Sequence, residues 1–298
     1  MYVTGFTDEV STDIEQQIEV CRYLGWKYID LRTVGDWNVV DLPDDQFFKL
    51  ERLLQRNDIL VSSFGSRIAN WSRSVSEPFN QDLADLERAI PRMKRLGVPY
   101  LRVMSYRPDD ALSERENEDK IVRRLRDLAT RAEEAGITLI HENCETWGGR
   151  SVEHTERLIQ GVDSPAFKLV FDTGNPPATL DHRDGVPRGR YQDALEFYHR
   201  IKSEVVYIHI KDARPKDGEV VYTFPGEGNG RVGEILSALA SEGYDGAISI
   251  EPHLAVVYHD PTVTADERER WDSFIEYARR TNEMVAAAGF SMGFESVP

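Results

Sequence analysis

Four short stretches of this 298-residue chain end an apolar run in a side chain able to bind a metal ion or move a proton. They read TLIHEN at 138–143, KLVFDTGN at 168–175, VVYIHIKDAR at 205–214 and AISIEPH at 247–253. A carboxylate carried into an interior without a partner is strongly disfavoured. Three of them converging on one mouth, Glu142, Asp172 and Glu251, would also raise one another's pKa. A divalent cation removes that conflict. Together with His209 these carboxylates make an oxygen-rich set with one nitrogen. Such a set suits Mn²⁺, Mg²⁺, Co²⁺ or Fe²⁺ in octahedral geometry better than structural zinc, which favours thiolates and imidazoles in a closed tetrahedron. Four protein ligands leave two positions open, and a carbonyl with its neighbouring hydroxyl on a sugar would fill them. Any one of these residues alone is more often a solvated loop residue or a cap. Four at corresponding points of successive units are far harder to read that way.

What must position them is a repeated unit: an amphipathic helix, a break, then a short apolar strand. It reads RYLGWKYIDL at 22–31, KRLGVPYLRV at 94–103, EEAGITLIHE at 133–142 and SEGYDGAISIE at 241–251. Gly25, Gly97, Gly136 and Gly243 stand where a helix ends in a left-handed residue, and Asn57 takes that place in LQRNDILVSS at 54–63. Thr12-Asp-Ile-Glu15 fits a capping box at the first helix. Strands are expected near Tyr2–Gly5, Tyr28–Leu31, Leu60–Ser63, Tyr100–Val103, Thr138–His141, Lys168–Phe171, Val205–Ile210 and Ala247–Ile250, each followed by a helical segment. Continuous apolar runs suit a parallel sheet covered on both faces. Eight such units predict an α/β fold, a (β/α)8 TIM barrel in a single domain over 1–298, with function at the C-terminal ends of the strands. An open doubly wound sheet is the rival, but no GxGxxG follows the first strand.

Composition sets outer bounds. Forty per cent apolar and thirty per cent charged residues describe a soluble globular chain, and a net charge of −16 works against nucleic acid or an anionic membrane as partner. No apolar run approaches the ~20 residues of a membrane-spanning helix. MYVTGFTDEV has neither the basic nor the apolar region of a signal peptide, so a cytoplasmic location is the default expectation. The two cysteines, Cys21 and Cys144, form no CxxC pair.

The motifs HEN, FDTGN, HIKD and IEPH, in this order, make the chain resemble the xylose isomerase-like TIM barrel superfamily, which shares the AP endonuclease family 2 fold. Members include sugar phosphate isomerases/epimerases, ketose 3-epimerases, inosose dehydratases and isomerases, and endonuclease IV. The resemblance runs from GFTDEVS at 5–11 to IEPH at 250–253. It implies one divalent metal ion on Glu142, Asp172, His209 and Glu251, Mn²⁺ before Mg²⁺, Co²⁺, Fe²⁺ or Zn²⁺. It also implies that Glu142 and Glu251 are the catalytic acid/base pair; relatives with this barrel are often dimers or tetramers, so a homo-oligomer is one open expectation, its order not readable from the sequence. The cation would polarise a carbonyl and stabilise an enediolate while one glutamate takes a proton and the other returns it. The expected function is therefore a metal-dependent sugar isomerase/epimerase acting on a small sugar or keto-sugar. A lyase or hydrolase on keto-sugars, dehydrating an inosose or cleaving a 3-keto-glycoside, is the alternative on the same site. A non-catalytic sugar-binding barrel is the alternative of another class. The endonuclease needs more histidines; SSFGSR and MSYRP offer none, and Asn175 stands where both it and the ketose 3-epimerases have one.

Substrate contacts are expected from Asn175, from Lys211, on the same strand face as His209, and from His253, on the same face as Glu251. Lys211 would hold an oxyanion, with a plain ion pair to Asp212 or Glu227 as its alternative; His253 would contact substrate or act as an acid/base, with a bond to a loop carbonyl as its alternative. His141 should face away from the site as a satisfied structural histidine, and Cys144 should be a packed thiol. PGEGNGR at 225–231 is Gly-rich enough to suggest a phosphate cradle but lacks a Walker pattern. Residues 65–79, 176–191 and 253–270 are long for βα connections. Trp37, Trp71 and Trp147 should rim the mouth, at least one of them against a sugar.

Overall fold

The computed structural model describes residues 1–257, 262–263 and 265–290. Eight parallel strands carry the architecture: β1 Tyr2–Gly5, β2 Tyr28–Leu31, β3 Leu60–Gly65, β4 Tyr100–Val103, β5 Thr138–Glu142, β6 Phe167–Asp172, β7 Val205–Ile210 and β8 Ala247–Ile250. They pair in the order β1-β8-β7-β6-β5-β4-β3-β2. The two ends of that order lie side by side, with the rings of Tyr2 and Tyr28 stacked 4.0 Å apart. The result is the expected TIM barrel, nearly closed. Among the described residues eight helices of eight residues or more wrap it: α1 Ile14–Tyr23, α2 Asp44–Arg56, α3 Asn80–Leu96, α4 Glu114–Ala135, α5 Val152–Val162, α6 Ala194–Ile201, α7 Val232–Ser241 and α8 Glu267–Ala287.

The helix boundaries follow local chemistry. A capping box of Ser113 and Glu116 opens α4, and Gly136 closes it at φ 72°, which costs glycine nothing because it has no Cβ. Two expected boundaries are shifted by one residue. Asp13, not Thr12, caps α1, its side chain accepting from the Glu15 N–H; the left-handed residue after α2 is Asp58 at φ 54°, while Asn57 stays at φ −105°. Asp and Asn both tolerate that conformation, so sequence alone does not choose between neighbours. Among the described residues no helix is long and apolar enough to cross a membrane.

Side chains two apart along a strand share a face, so the barrel interior is built in layers. Near the floor Ile140, Val170, Tyr207 and Ala247 form a small apolar cluster separate from the main core, which lies between strands and helices. Above it Asp30 is buried among hydroxyl groups. At the top the register sets Asp172 opposite His209, and His209 opposite Ser249, which lifts Glu251 and Lys211 to the mouth. Two small hairpins decorate that end, Thr33–Val34 with Trp37–Asn38 and Ala213–Lys216 with Glu219–Tyr222.

Candidate active site

The barrel brings Glu142, Asp172, His209 and Glu251 to one spot. All four are buried, and one ligand atom from each lies within 4.8 Å of the others. Two ligands at about 2.0–2.2 Å from a single ion stand at most ~4.4 Å apart, so the set needs only a slight contraction to hold one. The anchoring of each carboxylate fits the same purpose. Glu142 Oε2 accepts from Arg102 Nη1 at 2.7 Å, and its Oε1 turns toward His209 Nδ1, 3.2 Å away. Glu251 Oε1 accepts from Arg32 Nη1 at 2.5 Å, and its Oε2 stands 3.9 Å from the same imidazole nitrogen. Asp172 Oδ1 accepts the N–H groups of Gly174 and Asn175 at 2.8 and 2.9 Å, and its buried Oδ2 receives no hydrogen bond among the described residues. Each carboxylate thus has one oxygen tied down and one pointing inward. That donor set can hold a divalent ion.

Lys211 stands inside this group. Its Nζ is 3.0 Å from Glu251 Oε2 and 2.9 Å from Asp172 Oδ2, the second contact being an ion pair off the hydrogen-bond direction. The expected alternative pairing with Asp212 or Glu227 does not form: Glu227 pairs with Arg280 at 2.5 Å. Asp212 instead accepts four backbone N–H groups, from Ala213, Gly226, Gly228 and Gly230. A Cβ at Gly228 would lie 2.3 Å from its Oδ1, so the glycines make room for an internal carboxylate. The amides that suggested a phosphate cradle are already occupied by it.

Charge follows from these contacts. Burial alone would raise the Glu142 carboxyl, but Arg102 and then His209 outweigh it and hold the group below the usual carboxylate range. Burial also opposes ionisation of Glu251, and Lys211, His253 and Arg32 reverse that, leaving it well below its ordinary value. Asp172 goes the other way, raised to about 6 by burial despite Lys211. Both glutamates are therefore carboxylates at neutral pH.

A cavity of about 610 Å³ opens over the group, with Trp71, Asn175, Lys211, Tyr222 and His253 in its wall. Asn175 Nδ2 is buried and has no hydrogen-bond partner among the described residues. His253, at φ 54°, donates its backbone N–H to Glu9 Oε2 at 2.9 Å and sets Nδ1 3.0 Å from Glu9 Oε1, so a buried carboxylate is among its partners. A depression of about 790 Å³ between α1 and α2 is lined by helix side chains on the barrel flank and lies away from this group.

Other expectations hold in part, with Cys144 a packed thiol as expected and His141 and Trp147 needing correction. His141 does face away from the site and is fully buried, but neither ring nitrogen has a hydrogen-bond partner among the described residues, and burial lowers it to about 4. It is a packed neutral ring against Phe167 and Gly148. Trp147 is not at the rim: it is buried, with its indole N–H on Glu114 Oε1 at 2.8 Å and Arg157 over its ring. Trp37 and Trp71 are 44% and 42% exposed, and Trp71 borders the cavity. Cys144 is buried, pushed up to about 12 by desolvation. Of the long segment 253–270, residues 258–261 and 264 lie outside the described residues.

The sequence reading missed Arg32, Arg102 and Glu9. Both arginines carry a signal in hindsight: each lies two residues beyond an inward residue of its strand, Asp30 and Tyr100, and so continues the inward face.

A family model described as xylose isomerase-like TIM barrel matches residues 18–274. An inosose dehydratase of Lacticaseibacillus casei is 25% identical over 148 residues, 45% of this chain and 46% of that protein, so the chain matches less than half the length of that relative. Among solved structures, the IOLI protein with a bound zinc atom superposes with a TM-score of 0.70 at 18% identity, over 98% of this chain and 100% of that one. D-psicose 3-epimerase from Clostridium cellulolyticum H10, solved with D-tagatose, does so with a TM-score of 0.70 at 17% identity, over 96% and 99%. At these identities the structural likeness is one of fold.

Proposed function

The chain belongs to the xylose isomerase-like TIM barrel family, and from that premise we propose that it is a divalent-metal-dependent isomerase or epimerase of a sugar or keto-sugar. The observation that carries this reading is the pairing of two buried, ionised glutamates whose inward oxygens flank one imidazole under one cavity. Glu142, Asp172, His209 and Glu251 are the proposed ligands, and Mn²⁺ the ion we assign first to so oxygen-rich a set. Bound there, a divalent ion supplies Lewis acidity toward the substrate carbonyl.

The chain's own groups do the rest. Glu142 and Glu251 are the proposed proton carriers: whichever takes the proton beside the carbonyl, the other is the group to return one. Arg102 and Arg32 hold them in register and keep them ionised between turnovers. Asn175 Nδ2 and the Trp71 ring would contact the sugar's hydroxyls and its apolar face. Lys211 and His253 complete the substrate wall.

A second reading, dehydration of a keto-sugar of the inosose type, is favoured by the sequence match to inosose dehydratase. It begins with the same proton removal, after which a hydroxyl on the next carbon leaves as water. Incubation with ketoses, inososes and 3-keto-glucosides in D₂O separates the two. Deuterium entering at the carbon beside the carbonyl without loss of water indicates isomerisation; release of water or of a glycosyl group indicates elimination. No exchange with any of these compounds in Mn²⁺-loaded protein would refute the proposal and leave a sugar-binding barrel.

A further inference from the structure

Three cations reach the carboxylates of the mouth, and they do not reach the same oxygens. Arg102 binds Glu142 through Oε2 and Arg32 binds Glu251 through Oε1, each on the oxygen facing away from His209. Lys211 Nζ instead touches inward oxygens, Glu251 Oε2 and Asp172 Oδ2, at 3.0 and 2.9 Å. It is 4% exposed. Its stem passes directly over Gly174, where a Cβ would meet Lys211 Cγ at 2.6 Å, so the FDTGN glycine keeps open the path by which the amine arrives. Two arginines thus support the ligand set from outside while a lysine sits among the ligand atoms.

We propose that Lys211 is an internal counter-cation: in the metal-free protein it holds the inward oxygens of Asp172 and Glu251 together, and it competes with a divalent ion for them. The inference rests on the metal-dependent reading above. A compact ammonium on a flexible four-carbon stem suits this role, where a guanidinium held on two sides does not. Like charges a few ångströms apart in a buried site repel, so an ion entering the set and Nζ exclude one another. Lys211 then acts as a positioning residue: it preserves the spacing of the ligands before the ion arrives, at the expense of affinity for that ion.

The test uses the full chain stripped with a chelator. Calorimetric titration with Mn²⁺ should show Lys211→Met binding about tenfold more tightly than wild type, since one competing charge is gone. Its metal-free melting temperature should fall by several degrees while its rise on adding Mn²⁺ becomes larger. Lys211→Arg, which keeps the charge, should bind no more tightly than wild type. Equal or weaker binding by the methionine variant overturns the inference, because a merely structural lysine would loosen the ligands when removed. Should that variant not fold without metal, wild type labelled at lysine Cε decides: saturating Mg²⁺ must shift the one resonance missing from Lys211→Arg, and an unmoved resonance overturns the proposal. Wild type that binds no divalent ion refutes both this inference and the functional reading; unchanged affinity in the variant refutes this one alone.

Discussion

Asp30 and Glu142 are both buried on the inner face of the same barrel, and the chain compensates them by opposite means. Asp30 sits among hydroxyls: Ser63 and Tyr207 donate to Oδ1 at 2.7 and 2.6 Å, and Ser249 donates to Oδ2 at 2.5 Å. Tyr207 in turn meets Ser62, and Ser62 meets Tyr2. Burial raises the Asp30 carboxyl, and those bonds only soften the rise. Glu142 has the Arg102 guanidinium and the His209 ring instead, and is pulled down. Neutral donors leave an acid free to keep its proton, whereas a fixed cation compels it to lose it. One layer of the barrel interior is therefore arranged to be chemically quiet and the layer above it to be charged.

The contrast is broken most sharply by neutralising one acid at each level. Glu142→Gln and Glu251→Gln should each lose roughly 10²–10⁴-fold in turnover, the usual weight of a positioned acid or base. Proton exchange in D₂O measures it, with circular dichroism confirming the fold. Asp172→Asn should come next, by weakening Mn²⁺ binding in calorimetry, since a carboxylate ligand becomes an amide. Arg102→Met tests the cation itself: a fall of about 10–100-fold in kcat/KM is expected, the scale seen when partners of reactive or ligating groups are removed. Arg102→Lys should recover part of it if charge is what Glu142 needs. Full activity in the methionine variant would mean that the ion pair is only structural.

The same comparison explains how much was legible beforehand. All eight strands and the four proposed ligands could be read because β5 to β8 each end an apolar run in a ligating side chain, and the strand register needs nothing further to align them. Arg32 and Arg102 could not be placed in the site. An arginine in a short strand reads as a surface residue until its partners are known, and those lie 24 and 219 residues away for Arg32 and 40 away for Arg102. The Asp212 nest escaped for a related reason: glycine-rich loops look alike whether they bind an external anion or a carboxylate of their own chain. Trp147 was misplaced because α4 contributes Glu114, which draws the indole inward. For the arginines and Trp147 the deciding partner is distant in sequence; for the nest it is the adjoining strand-end carboxylate.

A smaller effect is expected at the rim. Trp71→Ala should raise KM about 2–10-fold with little change in kcat, because a ring stacked on a sugar binds ground and transition states alike. Steady-state kinetics on whichever sugar proves active checks it, and a fall in kcat alone would assign Trp71 to loop packing.

The least effect on catalysis should come from Asp30→Asn, and its pH dependence is the more informative readout. A carboxyl whose native pKa lies above its unfolded value, about 3.9, binds its proton more tightly in the folded chain. As pH rises from that value through the native one, the unfolded state gives up the proton first, so stability falls across the window and then stays level. Asparagine cannot ionise and removes that slope. The variant should therefore melt at or above the wild-type temperature at pH 7–8, and lose that advantage toward pH 4. Turnover should stay within about twofold: Asp30 itself hydrogen-bonds none of the four proposed ligands, and asparagine leaves in place the Tyr207 ring that packs edge-on against His209. A drop of many degrees at pH 7 would show instead that Asp30 is ionised and that its three hydroxyl bonds carry the charge, which would make the quiet layer as charged as the mouth above it.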